Sequence, residues 1–349
     1  MTHTLLPTMI ELGPNFWAAR FELMKRVNAF GVVRRARREG LLGPGGMVIE
    51  TTSGSMGIGL AEVCKEDGYR CILVTDEMAL DDYVRQRLRD LDAEVHVVPN
   101  DANPGATQAN RLQRLDELRR KYPHAYWTNQ YDNPWNSESY SVVADEILAR
   151  LEGVDVVVCS VGSGGSSCGI AQGLRRSGCD PSLIAVDLRG SVIFGLPSGI
   201  RRIRGMGNGI EPGNVDHAAY DEVHWLSDSA VIAATQRLAS THRGVDAGPT
   251  SGAAFLVAEW KHRREPSKVV CAVFPDSAER YRKPFGDPEW VIGQGLHLDR
   301  TPSEPIETEE VPQTTPDADW TMLRWKRRSY QDVTGRPWRA SAPDTGRMA

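Results

Sequence analysis

From residue 47 onward, short β-branched runs alternate with longer amphipathic stretches, and this alternation restricts the fold more than any other feature of the chain. It is the pattern of βαβ units. These build a largely parallel sheet, because a strand can return parallel to its neighbour only through a long crossover. The spacing predicts strands at Met47–Glu50, Arg70–Val74 and Glu94–Val98, with helices at Gly57–Asp67 and Leu80–Leu91 between them. A second series predicts a helix at Ser139–Leu151, a strand at Val154–Cys159, a helix at Ser166–Arg176, and strands at Ile184–Asp187 and Val269–Phe274. The reading is α/β, with two open, twisted, mostly parallel sheets meeting near residues 130–140. At about 150 residues per domain, 349 residues accommodate two such modules with some excess.

Composition narrows the function. A formal charge of −5 offers no basic field for a phosphate polymer, so nucleic acid is not expected as a partner. No window reaches the roughly 18 uninterrupted apolar residues of a membrane span. The opening MTHTLLPTMIELGPN places no Lys or Arg before its short apolar run, so it does not read as a secretion signal, and a cytoplasmic location is expected. The six cysteines are scattered without a CxxC, and the eight histidines show no HExxH; reduced buried thiols and no metal are expected.

The last fifty residues differ in character. Thr301–Asp319 carries six acidic residues and few aliphatics, so it reads as a flexible linker that burial does not order. After it, Trp320–Ala340 interleaves three Trp with six Lys/Arg against one Asp. Such a segment folds back on its own acidic linker, packs on a dimer mate, or docks a partner or RNA; the first two are the plainer readings.

Two glycine- and hydroxyl-rich turns each follow a strand and open a helix: Thr51-Thr52-Ser53-Gly54-Ser55-Met56-Gly57, and Gly162-Ser163-Gly164-Gly165-Ser166. A turn of this kind presents unpaired backbone N–H groups and hydroxyls to an anion at the positive end of a helix dipole. Two of them suggest one anion site each. The dinucleotide fingerprint G-x-G-x-x-G competes for the second turn, but Gly162, Gly164 and Gly169 have the wrong spacing for it.

The two turns resemble the T-S-G-N-T-G and G-T-G-G-T motifs of the fold-type II pyridoxal-phosphate enzymes, the cysteine synthase and cystathionine β-synthase family. Asn129–Asn136 is similar to that family's Q-x-x-N-P-x-N segment, Gly248–Ala254 to its G-x-S-S-G-A-A, and Phe274–Tyr281 to its P-[SD]-S-x-E-R-Y element. The five motifs stand in the family's order, and the likeness spans most of residues 5–300. It implies a tryptophan synthase β-subunit-like fold. The smaller α/β domain would cover 15–140, the larger one 141–300 with 1–14, and a flexible tail 301–349.

The resemblance also implies pyridoxal 5'-phosphate as cofactor and a lysine that forms an imine with it. Lys25 stands 15 residues before the Gly40-Leu41-Leu42-Gly43 segment and is that candidate, although Glu22–Asn28 lacks the N-P-x-G-S approach. Such a lysine must be neutral to attack, so Lys25 should lie in a desolvated pocket beside Leu23 and Met24. The alternative is an ordinary surface lysine on an amphipathic helix, Lys25–Arg38.

By the same resemblance, Gly162, Ser163, Gly164, Gly165 and Ser166 hold the cofactor phosphate. Thr52, Ser53, Gly54, Met56 and Gln130 bind the substrate carboxylate, and Thr250 or Ser251 offers a hydroxyl to the pyridine nitrogen. Ser55 replaces the family's Asn at the ring oxygen, and Met56 replaces a Thr, which points away from plain O-acetylserine. A hydroxyl at the pyridine nitrogen makes a weaker electron sink than a carboxylate. That suits β-replacement on an activated serine through an aminoacrylate, with a small nucleophile as partner and Lys25 as general base. The alternatives are β-elimination (a serine/threonine dehydratase or cysteine desulfhydrase), a 2,3-diaminopropionate-type synthase, and a non-catalytic scaffold. The family implies a homodimer.

Overall fold

The computed structural model describes residues 4–100, 104–281, 287–298 and 301–338. The chain opens with a hairpin, β1 (Thr8–Gly13) and β2 (Phe16–Arg20), turned at Asn15, whose φ of 58° is a left-handed conformation that asparagine tolerates. A helix α1 (Lys25–Arg38) follows. Then come β3 (Met47–Thr51), α2 (Ser55–Asp67), β4 (Arg70–Asp76), α3 (Asp82–Asp90), β5 (Glu94–Val98), α4 (Pro104–Lys121) and β6 (Tyr126–Trp127). These four strands make one sheet in the order β5-β4-β3-β6, parallel throughout.

Two helices, α5 (Pro134–Glu138) and α6 (Ser141–Arg150), lead into the second series: β7 (Val156–Ser160), α7 (Gly165–Arg176), β8 (Ser182–Leu188), β9 (Glu222–Leu226), α8 (Asp228–Thr241), α9 (Pro249–Arg264) and β10 (Val270–Phe274). With β11 (Ile306–Thr308) and β12 (Trp320–Arg324), the larger sheet runs β1-β2-β10-β7-β8-β9-β12-β11. Its central strands β2, β10, β7, β8 and β9 are parallel, and β1 and β12 run antiparallel to their inner neighbours. Strands β7, β9 and β10 are buried at every position; β7 and β10 accordingly read as apolar runs, whereas β9 (EVHWL) buries Glu222 and His224 and is not among the predicted strands.

Two expectations need correction. Phe16–Arg20 was assigned with the smaller domain, but β2 lies in the larger sheet, in parallel register with β10 (Ala18 opposite Ala272). A short segment with three of five residues buried needs a partner on each side, and β1 and β10 supply them. The tail is not flexible over its described part. Trp320–Arg324 adds an antiparallel strand to β9, and Trp320 and Trp325 are fully buried, so large aromatic area offsets the ordering of a linker poor in aliphatics. The fold-back reading of this segment holds: Arg324 Nε donates to Glu307 of the acidic linker at 2.6 Å. Tail residues 339–349 lie outside the described part.

The crevice that matters lies at the carboxyl ends of β3, β7 and β10, where open α/β sheets carry their ligands. The close approach of α1 to α2 sets one wall. A Cβ added at Gly59 would sit 3.0 Å from the Lys25 carbonyl oxygen, so glycine lets the helices meet there.

Candidate active site

Lys25 is the first residue of α1, and it is held there by the end of β10 rather than by a surface helix. After β2 the chain continues alongside β10: Phe21 N donates to Phe274 O at 2.8 Å, Met24 N donates to Pro275 O at 2.7 Å, and Leu23 forms a bridge with Asp276. The lysine lines a cavity of about 310 Å³, with Met24 buried behind it. Burial pushes the Lys25 amine down from the usual range to about 8, against the opposing pull of the Asp276 carboxylate.

The first glycine-rich turn is shaped by Thr52, whose Oγ1 accepts from Gly54 N at 2.9 Å and from Gly57 N at 2.8 Å. Gly54 has φ 124°, and a Cβ there would stand 2.5 Å from the Arg280 guanidinium, so only glycine fits. Ser53, Ser55 and Met56 line the cavity, while Thr52 and Gly54 brace them from behind. Arg280 ties the turn down, donating to Ser53 O at 3.0 Å and to Ser55 Oγ at 3.3 Å. Gln130 also lines the cavity; its Nε2 donates to Thr51 O at 2.8 Å, leaving one amide hydrogen for a ligand. The turn before Gln130 is anchored on buried Glu50, which takes Thr128 Oγ1 at 2.6 Å and Gln130 N at 2.9 Å.

The second turn brings Gly162 and Ser163 to the same cavity; Gly164, Gly165 and Ser166 lie behind them at the start of α7. Helices α3 and α8 are closed by Asp81 and Ser227 side chains, whereas α7 opens at Gly164 (φ 82°) with no side-chain cap. Its first N–H groups are therefore available to an anion. Asn136 packs against this turn. A Cβ on Gly165 would come within 2.4 Å of Asn136 Oδ1, and Asn136 Nδ2 reaches Ser163 Oγ at 3.4 Å and Gln130 O at 2.6 Å. Asn28, fully buried on α1, donates to Asn136 Oδ1 at 3.0 Å and to Met56 Sδ at 3.5 Å. A chain of amides thus links both turns to the lysine helix.

Thr250 and Ser251 differ sharply. Thr250 sits in the first turn of α9 behind Gly205, a cavity-lining residue whose added Cβ would lie 3.3 Å from the threonine methyl, and its Oγ1 donates to Asp276 Oδ1 at 3.3 Å. Ser251 is sealed, and its Oγ has no partner among the described residues. Neither lines the cavity directly. Asp276, also held by Tyr281 Oη at 2.6 Å, is raised above the usual carboxylate range by burial.

Sequence reasoning quoted Asn136, Asp276, Arg280 and Tyr281 within motifs without giving them a place in the site. It missed Arg111, Arg201 and Arg204, which line the cavity, altogether. Arg111 sits on an unpredicted helix, α4, where its spacing looks like that of its solvated neighbours.

A desolvated lysine amine sharing one cavity with a hydroxyl-bearing, uncapped helix N-terminus fits a phosphorylated aldehyde, anion on the turn and carbonyl on the amine. The protein is of the class that holds such an aldehyde between two α/β sheets. The family model described as pyridoxal-phosphate dependent enzyme matches residues 24–276. A putative cysteine synthase of Sinorhizobium fredii is 34% identical over 278 residues, 78% of this chain and 82% of that protein. An N-(2-amino-2-carboxyethyl)-L-glutamate synthase of Cupriavidus metallidurans is 34% identical over 266 residues, 74% and 77% of the two chains. Among solved structures, the O-acetylserine dependent cystathionine beta-synthase from Helicobacter pylori superposes with a TM-score of 0.72 at 26% identity, covering 79% of this chain and 94% of that one. The chain belongs to the pyridoxal-phosphate dependent enzymes, within the cysteine synthase family, and its cofactor is pyridoxal 5'-phosphate. Among the described residues, no helix is long and apolar enough to cross a membrane.

Proposed function

We propose that the protein catalyses β-replacement on an activated serine, joining a small nucleophile to the serine β-carbon. The observation that carries this reading is Lys25, an amine near a pKa of 8 in the same cavity as the Gly162–Ser163 turn. When bound, pyridoxal phosphate supplies an aldehyde for amines and a ring that withdraws electrons from the substrate Cα.

The chain's own residues supply the rest. Gly162, Ser163, Gly164, Gly165 and Ser166 hold the phosphate with backbone amides and hydroxyls. Lys25 would hold the cofactor through its Nζ, and the same amine, when free, would take the proton from the substrate Cα. Ser53, Ser55 and the amides that follow Gly54, with Gln130, fix the substrate carboxylate by neutral dipoles. Thr250, behind the cavity-lining Gly205, would offer its Oγ1 to the pyridine nitrogen, with Asp276 accepting from the same hydroxyl. Met56, buried at the cavity edge, keeps water from the β-carbon. The working form is a homodimer, as the family resemblance implies, and the six unpaired cysteines suit the reducing cytoplasm.

Purified protein should be yellow, and Lys25→Ala should abolish that absorbance. Holoenzyme given O-acetylserine or O-phosphoserine with sulfide, a thiol or an amine should yield the substituted alanine. Pyruvate released at the same rate with or without a nucleophile would identify an eliminating enzyme instead.

A further inference from the structure

One wall of the cavity carries more positive charge than the described residues neutralise. Arg111 and Arg204 both line it and share one carboxylate, Asp76, at 3.4 Å and 3.8 Å. Asp76 is fully buried, with Oδ1 already accepting from Ala79 N at 2.9 Å. Arg111 is spent partly on structure, since Nη1 donates to Thr52 O at 2.9 Å, yet its buried Nε has no partner among the described residues. For Arg204 the 3.8 Å contact with Asp76 is too long for a hydrogen bond, and no other described residue receives its donors. The third arginine nearby, Arg201, donates instead to the carbonyls of Gly190 and Gly199. Burial and the like charges of Arg111 and Arg280 hold the Arg204 guanidinium below its usual range. Five planar donors with no acceptor, in a part-buried cavity, recognise a phosphate or carboxylate.

Neither arginine belongs to the two turns already assigned to anions, Gly162–Ser166 and Ser53–Met56, although both arginines and both turns line the same cavity. Resting on the β-replacement reading, we propose that Arg204, supported by Arg111, forms a third anion subsite that binds an anionic group on a co-substrate. The shared chemistry is a phosphate or carboxylate, from either of two sources: a phosphate on the serine β-oxygen as leaving group, or the side-chain carboxylate of an incoming amino acid. A neutral acyl ester with sulfide would leave Arg204 and Arg111 with the shared Asp76 carboxylate between them.

The test uses holoenzyme, whose cofactor already fills the first phosphate site. Titration with inorganic phosphate by calorimetry should show saturable binding, weakened at least about tenfold by Arg204→Gln and less by Arg204→Lys. No saturable binding in the wild type, or equal binding in R204Q, overturns the subsite. Turnover then separates the sources. A fall of about tenfold or more in the kcat/KM ratio of O-phosphoserine over O-acetylserine in R204Q assigns the leaving group. A KM for glutamate that rises relative to the KM for sulfide assigns the nucleophile. Equal losses with every substrate would mean a structural role and overturn the proposal. Absence of β-replacement with any donor would sink the activity reading, while the phosphate titration would still decide the subsite.

Discussion

Thr250 Oγ1 donates to Asp276 Oδ1 at 3.3 Å, so the hydroxyl assigned to the cofactor's ring nitrogen is itself backed by a buried carboxylate. The other oxygen of Asp276 is taken by Tyr281 Oη at 2.6 Å, and the carboxyl sits above its usual range because it is buried. In the proposed site a hydroxyl would pass on only part of that negative character, leaving the ring a weaker electron sink than a directly bonded carboxylate would.

Thr250→Val keeps the shape and removes the relay. A hydrogen bond to a charged group is worth about 1.5–3 kcal/mol, so kcat should fall roughly tenfold to a hundredfold. Thr250→Ser should recover most of the loss. Steady-state kinetics with the cofactor absorbance followed in parallel checks this; a T250V enzyme with wild-type kcat and spectrum would remove Thr250 from the site.

The Lys25 amine, near 8, gives a second expectation. At pH 7.5 roughly a quarter of it is neutral, against almost none for an ordinary lysine. The rate at which apoprotein takes up pyridoxal phosphate covalently should therefore rise with pH to a midpoint near 8. The negative charge of Asp276 holds the amine protonated, so Asp276→Asn should move that midpoint downward. Stopped-flow absorbance across pH 6–10 reads both, and an unshifted midpoint in D276N would uncouple the pair.

Strands β3, β4, β5, β7, β8 and β10 and the two glycine-rich turns were legible because their signals are local, whereas β1, β2, β6, β9, β11 and β12 were not. Val156–Ser160 is an apolar run closed by Gly162–Ser166, and a strand followed by an anion-binding turn can be read from those ten or so letters. Lys25 is singled out in the sequence by its distance from Gly40, since its immediate surroundings carry little signal. The arginine wall was not legible. Arg111 lies on α4 among Arg114, Arg119 and Arg120, and only the packing of α4 against the small sheet decides which of these is buried. The tail misled for a related reason. An acidic, aliphatic-poor linker looks unordered by composition, and nothing local says that Trp320 and Trp325 will find the edge of β9 and the hollow beside Phe194.

The phosphate turn should be intolerant of a single methyl group. At Gly165 an added Cβ would lie 2.4 Å from Asn136 Oδ1, and moving Asn136 would disturb its bonds to Gln130 O and Ser163 Oγ together. Gly165→Ala should weaken cofactor affinity at least about tenfold, the scale of one lost charge-assisted hydrogen bond, with a smaller effect on global stability. Absorbance titration of apoprotein with pyridoxal phosphate measures it. Gly153→Ala is the control for chain stiffness alone, because a Cβ there meets nothing within 4 Å and its φ lies outside the left-handed region.

The docked tail should make stability acid-sensitive through His217. Its ring is buried against Phe194, Trp325, Tyr330 and Trp338, with Nε2 bonded to Ile193 O at 2.9 Å. Burial pushes it down to about 4 from a free value of about 6.5. Between those two values the unfolded chain binds the extra proton, so the contribution is fully present above pH 6.5 and is lost as pH falls toward 4, on the order of 3 kcal/mol across the window. Carboxylates such as Glu222, whose burial is outweighed by His224 and Lys261 so that it sits at about 2, also cost stability as they are protonated in part of the same range. The informative quantity is therefore the difference between wild type and His217→Phe. Urea unfolding at pH 7 and pH 5 should show a smaller pH-dependent loss in H217F, and equal losses in both proteins would mean that the imidazole is hydrated in the folded state and that the aromatic cluster of the tail is open to water.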